Sequence, residues 1–309
     1  MSSAINRMLF VCTAIIIAFA AFAENSAPYP RITEEAFKSC VPFFKCDSTI
    51  PLEARIVQEW DNKNSLRQKI VFRGAQGFLV PGLFEIPKQG EKPYPLVLLL
   101  HGWSGSKANW YEDNNFISGG IMRKALLESG YAVLALDAAT HGERSNEIDY
   151  LHVNPFEDPA APLRSNYFSF AEICIQTVKD YQRALDYIAG RDEIDMNRIG
   201  LIGYSMGGMH SFFMLAAEPR LKMAVACVPP LLTLGGSTAS PVDYSRGIGD
   251  KPLLMLMGRK DELYEFAPME SSYHAYIERP TTKIIWYDRG HELGPIYVPD
   301  ALAWIKEYL

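Results

Sequence analysis

The chain has 309 residues, of which 48% are hydrophobic and 21% charged, and a formal net charge of -6. That length suits one large α/β domain or two small ones, and the composition supports a substantial core. The negative balance, with no local Lys/Arg cluster to reverse it, argues against a nucleic-acid backbone as partner.

Residues 1–23 stand apart from the rest. Arg7 supplies a basic start, residues 8–22 are almost entirely apolar, and Ala21-Phe22-Ala23 matches an A-x-A cleavage site. This reads as a secretory signal peptide, with the mature chain starting near Glu24 and a secreted or periplasmic location. An uncleaved N-terminal anchor is the alternative. The apolar run of about 15 residues falls short of the ~20 that a membrane span needs, so no stable span is expected after cleavage. Cys12 invites a lipoprotein reading, but Val11 before it is too large for the small residue usual there. Removing Arg7 takes the net charge from -6 to -7. Export would place Cys40 and Cys46 in an oxidising compartment, where their closeness in sequence permits a local disulfide. Cys174 and Cys227 read instead as small buried hydrophobes, because Cys174 shares a helical stripe with Val178, Tyr181, Leu185 and Ile188, and Cys227 lies in a strand-like run. With no C-x-x-C present, neither a zinc site nor a redox dithiol is indicated.

Residues 24–65 have weak periodicity and read as an irregular N-terminal segment wrapping the core. From 66 to 309 apolar strands alternate with longer helical stretches, forming the expected catalytic domain. Strands are expected at 68–73, 77–86, 96–100, 132–136, 199–203, 223–228, 253–257 and 283–287. Helices are expected at about 116–128, 168–189, 206–217, 267–277 and 299–308, with Gly190 placed to end the second. Several strands are continuous apolar runs, as in parallel sheets covered on both faces. Only Gly74-Ala75-Gln76 separates the first two, which read as an antiparallel hairpin. The fold class is therefore α/β: a doubly wound, mostly parallel sheet with an N-terminal antiparallel hairpin. An insert at 142–167, rich in Asn, Pro and Asp, interrupts the alternation and reads either as a lid or pocket wall, or as a surface excursion.

The chemistry gathers around Gly203-Tyr204-Ser205-Met206-Gly207. This is G-x-S-x-G between an apolar strand and a helical segment, the pattern that lifts a nucleophilic serine above a sheet on a sharp turn. Such a serine needs a histidine base and a carboxylate to orient it, both later in the chain with the acid first. Of the histidines after Ser205, His210 lies in the nucleophile's own helix and His274 in another helix interior. His291 follows the last strand, at the carboxyl edge of the sheet. Asp261 leaves the preceding strand in a short loop. The adjacent Glu262 is the rival acid, and a helix cap is the rival role for Asp261. An oxyanion hole would take the backbone N–H of Met206 and that of Trp103, in the loop after His101-Gly102. His101 precedes the serine and reads as a loop-fixing hydrogen-bonder. The Gly/Ser-rich loop is not followed by G-K-[ST], which argues against a phosphate loop. Asp137-Ala138-Ala139-Thr140-His141-Gly142 closes another strand and reads as a pocket-forming loop. His141 has no second ligand at metal-binding spacing.

Taken in order, His101-Gly102-Trp103, Asp137 to Gly142, the Ser205 elbow, Asp261 and His291 resemble the α/β-hydrolase superfamily over about residues 66–309. The resemblance is to its dienelactone-hydrolase and acetyl-esterase-like branch, which is related to prolyl oligopeptidases. Trp103-Ser104-Gly105 departs from the HGGG of hormone-sensitive-lipase-type esterases. Ser205 stands where dienelactone hydrolases carry cysteine, which implies an esterase. No propeller domain fits before residue 66. The resemblance implies a serine carboxylesterase that needs neither metal nor organic cofactor, acting on a small-molecule or carbohydrate ester such as an acetyl or feruloyl ester. A serine peptidase or amidase with the same triad is the alternative. A non-catalytic binding protein on this fold is the rival from another class, and it would be expected to lack one of the three residues.

Overall fold

The computed structural model describes residues 27–145, 169–231 and 238–309. The expected signal peptide lies outside these residues, as does all of the 142–167 insert beyond Ser145.

Nine strands form one sheet: β1 (Arg55–Asp61), β2 (Ser65–Arg73), β3 (Leu79–Pro87), β4 (Tyr94–Leu100), β5 (Ala132–Leu136), β6 (Ile194–Tyr204), β7 (Leu221–Cys227), β8 (Leu253–Gly258) and β9 (Thr282–Tyr287). Their spatial order is β1-β2-β3-β5-β4-β6-β7-β8-β9. The first three strands and the β3/β5 pair are antiparallel, and every pair from β5 to β9 is parallel. The doubly wound, mostly parallel expectation holds, and so does the N-terminal hairpin.

The central strands are buried on both faces, and their alternate residues feed two separate cores. Leu96, Leu98 and Leu100 of β4 face one layer, where Cys174, Val178, Tyr181 and Leu185 of α3 (Phe170–Ile188) meet Phe212 and Phe213 of α4 (Met206–Ala217). Val97 and Leu99 face the other, against Met122 and Leu126 of α2 (Gly119–Glu128) and Trp304 and Ile305 of α7 (Val298–Tyr308). Period-two alternation in the strands thus sets which helix covers which face. Ser169 and Glu172 form a reciprocal capping box that fixes the start of α3.

Three readings need correction. The segment before residue 66 contains a helix, α1 (Glu34–Cys40), and the edge strand β1. Neither has a fully buried side chain: α1 is partly covered at Ala36, Phe37 and Cys40 and β1 only at Trp60, too little to write a clear apolar period. The segment still wraps the core: Phe44 stacks on Phe213 with ring centroids 5.0 Å apart, and the Ile32 N–H donates to Asp243 Oδ1 at 2.9 Å. Cys40 and Cys46 are free thiols, not a disulfide. Cys40 ends α1, the Val41–Phe44 turn intervenes with Phe44 driven into the core, and the Cys46 N–H is taken by Gln182 Oε1 at 3.0 Å. Finally, the helix expected at 267–277 stops as α6 (Phe266–Ser272) and continues as a π turn, Tyr273–Ile277. The buried Ser272 hydroxyl donates back to Pro268 O at 2.7 Å, a back-bond that disturbs the helical ladder. A short helix, α5 (Pro241–Tyr244), lies between α4 and α6 in the chain.

Candidate active site

The parallel strands all present their carboxyl ends at one edge, and the chain leaves that edge under strain. Four neighbouring strands are followed by non-glycine residues with positive φ: Ser104 (58°) after β4, Thr140 (65°) after β5, Ser205 (55°) after β6 and Val228 (42°) after β7. At Ser205, ψ is -116°, far from the ordinary left-handed well. Two bonds hold it there: its N–H donates to Cys227 O at 2.8 Å, and its carbonyl accepts from the Met209 N–H at 3.0 Å. The flanking glycines follow from packing. A Cβ on Gly203 would overlap the Gly207 carbonyl, and one on Gly207 would overlap the Leu100 carbonyl. The elbow is tight enough to exclude any side chain at either place.

The structure brings Ser205, His291 and Asp261 into one hydrogen-bonded row. Ser205 Oγ lies 2.8 Å from His291 Nε2, and His291 Nδ1 lies 2.7 Å from Asp261 Oδ2. Asp261 Oδ1 accepts the Leu263 N–H at 2.9 Å. Its role is therefore an Asx turn within its own loop together with a bond to His291, and Glu262 beside it is exposed. The Asp261 side chain is 0% exposed and the His291 side chain 15%, so the row is sealed at the acid and opens toward the serine. A carboxylate that accepts at Nδ1 fixes the tautomer with Nε2 unprotonated, facing the hydroxyl.

The residues expected to supply the oxyanion donors adjoin Ser205 through the chain. Met206 is the first residue of α4, where amides have no partner one turn back. Trp103 follows Gly102, whose Cα is so close that an added Cβ would stand 3.3 Å from Ser205 Cβ. His101 fixes that loop, as its position implies. Its Nδ1 lies 2.8 Å from Gly102 O, and its Nε2 accepts the Ala138 N–H at 3.0 Å. The Trp103 ring sits edge-on to His141, with centroids 5.0 Å apart.

The sequence did not flag how this edge is braced. Asp137 is buried and accepts from the Lys107 N–H at 2.8 Å, from Lys107 Nζ at 2.5 Å and from the Glu143 N–H at 2.9 Å, tying the loop after β4 to the loop after β5. Tyr181 reaches from α3 between the same two strands. Its hydroxyl donates to Leu99 O at 2.7 Å and accepts from the Leu136 N–H at 3.1 Å. Tyr204, one of the unspecified positions of the motif, holds the histidine loop through its hydroxyl. None of these has a spacing signature, since each acts across distant sequence. His210 and His274 stay outside the row. His210 is buried and its base strength is depressed to about 3, by burial first and then by His101 and His141. His274 is exposed and pairs with Glu278 at 2.8 Å. Among the described residues, no group of three His, Cys, Asp or Glu side chains could hold a metal ion, and no helix is long and apolar enough to cross a membrane.

Comparison with known proteins agrees with this geometry. A family model described as alpha/beta hydrolase fold matches residues 95–244. The "Putative hydrolase YtaP" of Bacillus subtilis is 28% identical over 149 residues, covering 47% of this chain and 46% of that protein, so the chain matches under half of that relative's length. The "Putative carboxymethylenebutenolidase" of Escherichia coli is 24% identical over 275 residues, covering 84% of this chain and 93% of that protein. Among solved structures, acetyl xylan esterase 1 from a Thermoanaerobacterium species superposes with a TM-score of 0.68 at 17% identity, covering 92% of this chain and 95% of its own. The mostly parallel sheet with the serine elbow at its carboxyl edge is the α/β-hydrolase fold, and the family model matches its central part, residues 95–244.

Proposed function

We propose that the protein is an exported serine carboxylesterase that forms an acyl-enzyme on Ser205. One observation carries the reading: the continuous row from Ser205 Oγ through His291 to Asp261, with both bonds under 3 Å. In the acylation step Ser205 Oγ attacks the ester carbonyl carbon while its proton passes to His291 Nε2. Asp261 holds the imidazole and stabilises the imidazolium. The Met206 and Trp103 N–H groups stabilise the oxyanion, each worth roughly 3 kcal/mol in the transition state. The tetrahedral intermediate collapses, and the alcohol leaves with the proton from His291. Water then attacks the acyl carbon with His291 again as base, and Ser205 is released. No metal enters these steps.

Likeness to an acetyl xylan esterase supports a carbohydrate acetyl ester as the substrate class. Trp103 follows the Gly102 that packs on Ser205 and is only partly buried, and an indole at that place would serve to stack on a sugar ring. The basic, apolar and A-x-A pattern of residues 1–23 supports export. Ser205→Ala should abolish release of p-nitrophenol from its acetate while leaving the thermal transition in place. Turnover retained in that variant would sink the reading. Comparison with aminoacyl anilides separates esterase from amidase.

A further inference from the structure

The serine and its base come from strands on different sides of β7 and β8, and a single side chain links them. Tyr204 is the last residue of β6, directly before Ser205, and its side chain is fully buried in the layer that α2 and α7 cover. Its hydroxyl donates to His291 O at 2.9 Å and accepts the Leu293 N–H at 2.9 Å. One phenol therefore satisfies both backbone groups that the His291-Glu292-Leu293 loop turns inward. Its ring stands edge-on to the His291 imidazole, 82° between planes and 6.3 Å between centroids. Phe116 and Tyr297 wedge that ring from other sides, at 5.7 and 5.9 Å. Burial pushes the phenol well above its ordinary range, so it remains a hydroxyl that can donate and accept together.

We propose that Tyr204 is the positioning residue for the catalytic base: its hydroxyl pins the His291 loop to the end of β6, directly before Ser205, so nucleophile and base are located by two consecutive residues at one strand end. The proposal rests on the reading of His291 as that base. Without the hydroxyl, His291 O and the Leu293 N–H lose their shared partner, and the loop can relax away from Ser205. A displacement near 1 Å at such a site is worth on the order of a hundredfold in rate.

The test is Tyr204→Phe, which keeps the ring and removes the oxygen. Active sites are titrated, so rates refer to folded enzyme. The expected result is a kcat lower by tenfold or more on p-nitrophenyl acetate, KM within twofold, and labelling of Ser205 by a fluorophosphonate slowed by a similar factor, because labelling uses the same base. Tyr244→Phe is the control. It also loses a buried hydroxyl, one that donates to Thr238 O at 2.9 Å, and should keep kcat within twofold. Tyr204→Phe with kcat and labelling within twofold of the parent overturns the proposal, as does an equal loss in Tyr244→Phe. If Tyr204→Phe does not fold, amide exchange in the unaltered protein decides. The Leu293 N–H should exchange at least a hundredfold below its intrinsic rate, and exchange at the intrinsic rate overturns the proposal. Ser205→Ala separates the two levels. Loss of turnover there with full activity in Tyr204→Phe removes only the role of Tyr204, whereas turnover retained in Ser205→Ala removes the reading beneath it.

Discussion

Replacing Asp261 with asparagine is the sharpest probe of the row, because the carboxylate accepts on both sides. Oδ2 takes the bond from His291 Nδ1 at 2.7 Å and Oδ1 takes the Leu263 N–H at 2.9 Å. An amide has one oxygen, so one of these partners must face an NH2 group. If the oxygen stays on Leu263, the amide N–H points at Nδ1. The imidazole then moves its proton to Nε2, which can no longer accept from Ser205. If the oxygen turns to His291, the tautomer survives, but two donors oppose each other in a fully buried site, which costs about 1–3 kcal/mol. The first arrangement avoids that opposition and leaves the wrong tautomer. The expected loss in kcat is about ten-thousand-fold, or ~5.5 kcal/mol. Initial rates on p-nitrophenyl acetate give kcat, and a thermal melt establishes that the fold persists. Glu262→Gln, next door and exposed, should change neither. An Asp261→Asn enzyme within tenfold of the parent would refute the tautomer reasoning, and a large loss in Glu262→Gln would move the acid role to the neighbour.

Two further outcomes follow from other parts of the chain. His210 is held near 3 against an ordinary 6.5, so the folded chain keeps it neutral while the unfolded chain takes a proton on the acid side of about pH 6.5. Its effect is absent above that pH, and stability falls as pH drops from about 6.5 toward about 3, by up to ~1.4 kcal/mol per pH unit. His210→Met should therefore gain on the parent as pH falls, seen as urea midpoints that diverge between about pH 7 and pH 4. Parallel profiles would show that this imidazole is solvated in the folded chain. Separately, export predicts that protein recovered from the producing cell begins near Glu24. Intact-mass measurement checks this, and a mass that retains residues 1–23 would overturn the export proposal.

Much of the architecture is legible in the sequence because burial writes a period into it. β4 to β8 are apolar on both faces, so their runs stand out from the helices between them. β1 carries Arg55-Ile56-Val57-Gln58-Glu59-Trp60-Asp61 at the sheet edge, almost wholly exposed, and an edge strand without a buried face has nothing to alternate. The same absence of a buried stripe hides α1. The order of Ser205, Asp261 and His291 is legible because parallel topology sends every strand's carboxyl end to one edge. The choice between Asp261 and Glu262 turns on which carboxylate the loop aims at His291, a contact across 30 residues that the sequence does not display. Tyr204 is hidden for a related reason. It occupies a position that the motif leaves unspecified, and its partners lie 87 and 89 residues away.

The four left-handed residues at the sheet edge mark where the fold and the chemistry want different amino acids. On backbone grounds glycine would suit each of them, since L side chains at positive φ are held at a cost of order 1–3 kcal/mol. Serine at 205 has an evident reason to stay. Val228 does not share it: it is β-branched, wholly buried and among the least suited residues to its conformation. Its N–H is anchored to Leu256 O at 2.8 Å, while the neighbouring Cys227 carbonyl receives the Ser205 N–H. The unusual turn at Ser205 is thus tied by hydrogen bonds to β7 and through it to β8, so three neighbouring strands hold that one backbone in place.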